Sequence, residues 1–373
     1  MKGPLLVALG TWRGLVSLLL MTGILSCERA APPWPEGIAV QDLAVQRELG
    51  GPDSFGTLVD IHVTVDGHIG LADRTPVGGN ERLLLVDESS GDILWRAGQF
   101  GEGPGDVGDT LSIFDPPRGH GQLSLYDNLN RRISTLGSDE GGTRAATTLK
   151  YEDGGPVIQA AWLSEDKVVV SGRFENHWLR FLSVDRVART LTEISRIGSA
   201  PAGDVSGEEA RLLNWTTMTV SPDRQRIALA FLYPSRVILV NTLTGEYTEV
   251  ATPISIEPRI LSDGVSVRPD MRGGARLSYV DIGSTSEYVY ALFSGTPRPQ
   301  WGFGQQVHVF NWQGDLVGAL RLEERINHFA VNATTNQVYG IRYDPDSALF
   351  EFEPPELSLF NRRTQATSRV AAR

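Results

Sequence analysis

The chain has 373 residues, with 45 Asp and Glu against 34 Lys and Arg, a formal net charge of −11 and one cysteine. An acidic balance of this size argues against nucleic acid or an anionic lipid surface as the main partner of the polypeptide, and a single cysteine excludes an internal disulfide. The length leaves room for two ordinary domains or one large all-β domain.

The chain opens with a segment that does not read as part of a fold. Lys2 and Arg13 are the only charged side chains before Glu28, and Leu15 to Leu25 is uncharged. A basic start followed by a short apolar run is the pattern of a secretory signal; the run is shorter than the ~20 apolar residues of a spanning helix. It ends in Ile24-Leu25-Ser26-Cys27, which resembles a bacterial lipobox. The resemblance implies cleavage before Cys27, a diacylglycerol on its thiol, and anchoring at the bacterial cell envelope on the periplasmic or extracellular face. The alternative is an ordinary cleavable signal with an incidental cysteine. Residues 1–26 are then the signal peptide, 27–37 the lipidated cysteine and a Pro-rich tether, and 38–373 the folded domain. Loss of Lys2 and Arg13 takes the net charge from −11 to −13, so the lipid, not the polypeptide, would provide the membrane attachment.

Beyond the tether, amphipathic helical periodicity is nearly absent. Short alternating apolar segments recur between Gly, Asp, Asn, Ser and Pro, the rhythm of an all-β chain. GIAVQDLAVQREL reads as one N-terminal strand. Six units of four strands follow. The first contains LVDIHVTV, HIGLAD, RLLLVD and DILWRAG; the second LSIFD, QLSLYD, RRISTL and a weaker strand near ATTLKY; the third VIQAAWL, KVVVSGR, HWLRFLSV and a strand near TLTEISRIG. The fourth is the clearest, with TTMTV, RIALAFL, RVILVN and EYTEV; the fifth has RLSYVDI, YVYALFSG, QVHVFN and DLVGALRLE; the sixth lacks a convincing fourth strand. These units predict a six-bladed β-propeller of four-stranded antiparallel blades, with the N-terminal strand completing the last blade. Closure in this way removes an unpaired sheet edge. Two β-sandwiches are the alternative.

Asp127, Asn130, Arg132 and Ile133 follow the strand QLSLYD at the spacing of an NHL repeat, and Gly98 to Asp106 (GQFGEGPGD) is similar to the glycine-rich connection between blades of NHL-like and bacterial six-bladed propeller lipoproteins. Families of this kind include binding modules, lyases and lactonases. The resemblance implies a fold more than an activity.

No catalytic constellation stands out. Gly103 to Gly108 matches GxGxxG in letters only, because a strand and not a helix follows it, so it reads as a tight loop. There is no HExxH and no GxSxG, and no cofactor is predicted. Alignment of the first strands places Asp60, Thr110, Ala160, Thr217, Tyr279 and His328 near one mouth of the channel. Asp60 and His328, on neighbouring blades, are the candidates for a divalent metal. Turns between second and third strands are expected at the same mouth. With the aromatic loop at 295–305 they give a candidate ligand face of Asp73, Arg74, Asp127, Asn128, Arg131, Trp301 and Arg342, whose alternative is a solvated rim of ion pairs. Residues 252–274 read as an exposed loop. The chain therefore reads as a lipid-anchored binding or scaffold propeller for a protein or small molecule. A metal-dependent lyase or lactonase-type hydrolase at the channel mouth is the alternative.

Overall fold

The computed structural model describes Trp34 and residues 38–360, apart from 51–53, 104, 109–110, 119–120, 140–141, 153–155, 200–204, 206, 264–265, 271, 297–301 and 344–346. The signal segment, Cys27, Thr110 and Trp301 lie outside the described residues.

The described chain is strand and turn throughout, with one α-helix at Gly207–Leu213. The middle strands of each unit are rich in Val, Ile and Leu. Leu83 to Val86, Val168 to Val170 and Ile227 to Ala230 are buried at every position, as expected of strands covered on both faces. What covers them is the neighbouring sheet. One apolar cluster joins Leu58, Ile61 and Leu84 to Ala330, Tyr339 and Leu349, and another joins Phe114 and Tyr126 to Trp162 and Leu182. A third joins Val169 and Phe181 to Met218 and Leu229, and a fourth joins Val237 and Leu239 to Val289 and Phe310. Each cluster is a seam between successive units. No sheet could bury its apolar faces alone.

The first strands of the units are Leu58–Val63, Leu111–Phe114, Val157–Ser164, Thr216–Val220, Tyr279–Ser284 and His328–Val331. Each touches the next, and the last touches the first. The protein is an all-β propeller with these strands innermost. Six separate sheets were expected, but those of the second and third units are joined. Residues 111–197 form one eight-stranded sheet, because the outer strands Gly142–Lys150 and Thr190–Ile197 meet in a parallel bridge at Lys150 and Thr190.

The N-terminal segment forms two strands instead of one. Val40–Leu43 pairs in parallel with Leu316–Ile326, and Val45–Leu49 then pairs antiparallel with Ala348–Phe352 as the outer strand of the last sheet. The chain changes sheet at Ala44, whose carbonyl accepts from Glu353 N at 2.9 Å. Leu49 anchors the second strand in the seam between last and first units at 3% exposure. Leu49→Ala is expected to cost about 2–5 kcal/mol, read as a lowered urea midpoint. An unchanged midpoint would mean that this strand does not contribute to closing the ring.

Residues 252–274 are more ordered than a loop. Ile260–Ser262 and Val267–Pro269 form a two-stranded hairpin, and Ile254 and Ile256 pack against the seam between the fourth and fifth units.

Candidate functional site at the channel mouth

Every inner strand contributes to one cleft on the channel axis, with a cavity volume of about 150 Å³. Its walls are Asp60 to Val65, Ile113, Asp115, Gln159, Met218 to Val220, Asp281 to Ser284 and Phe329 to Thr334. The cleft therefore opens where the inner strands end and turn into the second strands. The expected ligand face is at the opposite mouth, among the turns between second and third strands. An inner strand runs from one mouth to the other, and the sequence pattern does not say at which end the channel widens.

Three inner strands share a local device. The pairing register slips between Leu58 and Asp60, between Val157 and Gln159, and between Tyr279 and Asp281. Such a bulge re-aims the side chain that follows it. Each of the three residues then accepts a backbone N–H from the next inner strand. Ile113 N donates to Asp60 Oδ2 at 2.7 Å, Phe329 N to Asp281 Oδ2 at 2.9 Å, and Met218 N to Gln159 Oε1. Asp60 and Asp281 also accept on Oδ1 from the following Ile N, at 2.9 and 2.8 Å. The three acceptors stand on the first, third and fifth inner strands.

Two histidines complete the polar set. His328 Nδ1 lies 3.3 Å from Asp281 Oδ2, and His62 Nε2 lies 3.1 Å from Asp115 Oδ2. Burial pushes the Asp60 carboxyl up to about 6, against the positive charge of His328 and with the negative charge of Asp281 adding to the rise. Burial is the largest influence on both imidazoles and opposes their charge. Even so, His328 is held above its ordinary range by the hydrogen bond and charge of Asp281 and the charge of Asp60, and His62 by Asp115 and Asp60.

Of the aligned residues Asp60 lines the cleft, whereas Ala160, Thr217, Tyr279 and His328 are not among its walls, and Gln159 and Asp281 line it instead. Tyr279 instead turns into the fifth sheet, where its hydroxyl meets His308 Nδ1 at 2.8 Å. The imidazole of His328 is partnered by Asp281 rather than by Asp60. As a metal site the set does not fit. Both oxygens of each carboxylate already accept backbone N–H groups, and no three His, Cys, Asp or Glu side chains among the described residues converge as metal ligands.

The residues of the expected ligand face have several different surroundings. Asp73 and Asp127 are buried and hold loops together. Asp73 accepts from Gly56 N at 2.7 Å and Thr75 N at 3.1 Å. Asp127 accepts from Gly108 N at 2.9 Å, Asn130 N at 3.1 Å and Asn130 Nδ2 at 2.7 Å. The glycines matter at these contacts. A Cβ at Gly56 would lie 1.7 Å from Thr75 O, and one at Gly108 would lie 2.5 Å from Asp127 Oδ1. Arg132 donates to Glu102 O at 3.0 Å and Asp106 O at 2.7 Å. The NHL-like residues thus clamp the glycine-rich connection at Gly101 to Gly108. Arg74 and Arg131 are exposed, Asn128 is half-buried, and Arg342 is half-buried with Nη1 at 2.8 Å from Glu324.

No family profile matches the chain, and no curated protein matches it. Among solved structures the chain is similar to a member of the DUF4221 family from Bacteroides vulgatus, at 12% identity over 83% of this chain and 97% of that one, with a TM-score of 0.51. It also aligns with the Cps50 (Swd1) β-propeller domain from Myceliophthora thermophila, at 11% identity over 83% and 99% of the two chains with a TM-score of 0.47. The WD40 repeats of RRP9 align at 12% identity over 82% and 96%, with a TM-score of 0.48. At 12% identity the likeness to the DUF4221 member is one of fold.

Proposed function

We propose that this protein is a lipid-anchored extracytoplasmic propeller that acts as a binding or scaffold protein, receiving its ligand in the cleft at the channel mouth. The observation that carries the reading is the cleft itself, a concave site walled by all the inner strands, with the buried carboxylates of Asp60 and Asp281 and the half-buried imidazole of His62 in its lining. The blade count belongs to the same proposal. With the eight-stranded sheet counted as two blades, the propeller has six, a count supported by the circuit of first strands. The NHL-like type is supported by the clamp that Asp127, Asn130 and Arg132 place on the glycine-rich connection.

Anchoring rests on the Ile24-Leu25-Ser26-Cys27 resemblance. Cys27→Ala is expected to move the protein from the membrane fraction to the soluble fraction. Its thermal unfolding should be unchanged, because the apolar seams begin at Leu43. A variant that stays membrane-bound would remove the lipoprotein assignment.

Binding at the cleft is tested by narrowing it. Gly283 lines the cleft, and a Cβ there meets Phe329 and Val331 at an ordinary 3.5 Å. Gly283→Leu should lose whatever co-purifies with the detergent-extracted wild-type protein, and full retention would place binding elsewhere. The competing reading, a metal-dependent lyase or lactonase-type hydrolase, draws on the Asp60 and His328 neighbourhood. Stoichiometric divalent metal in the purified protein, absent from Asp60→Ala, would favour it.

A further inference from the structure

The cleft's base has a repeated feature beyond its shape. A bulge precedes Asp60, Gln159 and Asp281, so that three side-chain oxygens are presented at alternating positions around the ring. Each holds the neighbouring inner strand through one N–H, and this fixes its place. Asp60 and Asp281 each accept a second N–H on Oδ1, and Asp281 Oδ2 also meets His328 Nδ1, but a carboxylate has about four lone-pair sites and an amide oxygen two, so each of the three keeps an open one.

Once its imidazoles are neutral, the charge at the base has one sign. Asp60 and Asp281 are 9% and 5% exposed. His328 adjoins Asp281, and His62 is paired with Asp115 on the wall. Arg224 is not among the cleft's walls and donates to Pro116 O at 3.1 Å. With neutral imidazoles the base carries buried negative charge without an equal positive partner, an arrangement that costs free energy until a cation arrives.

The geometry points to a binding site for a primary ammonium group, of a free amine or a lysine side chain, held by the oxygens of Asp60, Gln159 and Asp281. This inference rests on the channel-mouth reading above and names the chemistry of its ligand. An ammonium has three N–H donors, and the alternating strands offer three fixed acceptors. A metal ion would need inner-sphere lone pairs that the backbone N–H groups partly occupy. An anion would meet the carboxylates. A quaternary ammonium would bring charge without donors.

The site also carries a pH signature. His62, His328 and Asp60 bind protons in the same field that attracts the ammonium, so the two cations compete. By reciprocity, an ammonium that binds must weaken proton binding to these groups.

The test is a proton NMR titration of the His62 and His328 Cε1–H resonances in the intact folded domain, with n-butylammonium and with Nα-acetyllysine N-methylamide. Both resonances should shift saturably, with the apparent pKa of each imidazole moving down. The tighter of the two probes identifies the source of the ammonium. Asp281→Asn and Asp60→Asn should each weaken binding about tenfold, the scale of one charge-assisted hydrogen bond. Gly283→Leu keeps every acceptor and should also lose binding, which covers the case in which an Asn variant misfolds. Saturation by tetramethylammonium at the same affinity, or by butyrate, would overturn the inference, as would the absence of a saturable shift with either amine. If the amines fail while Gly283→Leu still abolishes binding of the co-purifying partner, the ligand class is wrong and the binding cleft stands.

Discussion

Asp127→Ala should destabilise the propeller by about 3–5 kcal/mol, the cost of stripping one partner from a buried charged network. The carboxylate is fully buried and holds Gly108 N, Asn130 N and Asn130 Nδ2, with Arg132 Nε at 3.8 Å. Its removal leaves those donors, and beside them a 7% exposed guanidinium, with no anion. Arg132→Ala should act through the same loop, because it frees the carbonyls of Glu102 and Asp106, each worth about 1–3 kcal/mol when stranded. The double variant should cost less than the sum of the two, since both residues support one connection. Asn128→Ala, one residue from the clamp and half-buried, should stay within about 0.5 kcal/mol. Urea unfolding with unchanged m-values reads all four. An Asp127→Ala midpoint equal to that of Asn128→Ala would mean that the motif does not hold the loop.

This contrast shows what kind of information the sequence carries. Strand rhythm is local and strong, and TTMTV, RIALAF, VILVN and YTEV each form the strand their alternation implies. The spacing of Asp127, Asn130 and Arg132 is also legible, but whether a charged residue faces solvent or clamps a loop depends on a partner far along the chain. Asp73 is followed by Arg74-Thr-Pro in place of the NHL-like spacing, yet it performs the same task on Gly56. The site was harder to read. Period two puts Tyr279 and Asp281 on one face, and nothing in the letters marks the extra residue of the bulge between them that turns them apart. One signal was present. Val59-Asp60-Ile61 and Val280-Asp281-Ile282 share a tripeptide, and equating them brings Asp281 to the channel in place of Tyr279. Gln159 has no such marker. The switch of the N-terminal segment between sheets at Ala44 has none either, because both halves alternate equally well.

Stability should fall with rising pH at the channel, and the Asp60→Asn variant should isolate the effect. The Asp60 carboxyl titrates at about 6 in the fold, above its ordinary 3.8. The folded state therefore holds more protons than the unfolded chain between those values, and stability declines as pH rises through that window. At 1.36 kcal/mol per unit the loss is roughly 3 kcal/mol by neutral pH. His328 and His62 are raised as well. Their stabilising contribution is full below the unfolded value of 6.5 and is lost as pH climbs through their folded values, so it falls in a later window. The wild-type stability minus that of Asp60→Asn removes most of the histidine contribution. An amide cannot accept from both Ile61 N and Ile113 N, but that penalty is independent of pH and only offsets the curve. The difference should fall by roughly 3 kcal/mol between about pH 4 and 7, then level off. A flat difference would mean that Asp60 titrates normally and that the channel floor is well solvated. The same measurement bears on the ligand. The pH range that destabilises the empty channel is the range in which its base becomes anionic. A bound ammonium should offset the decline in the wild-type protein and, with its tenfold weaker binding, stabilise Asp60→Asn by about 1.4 kcal/mol less at saturating ligand.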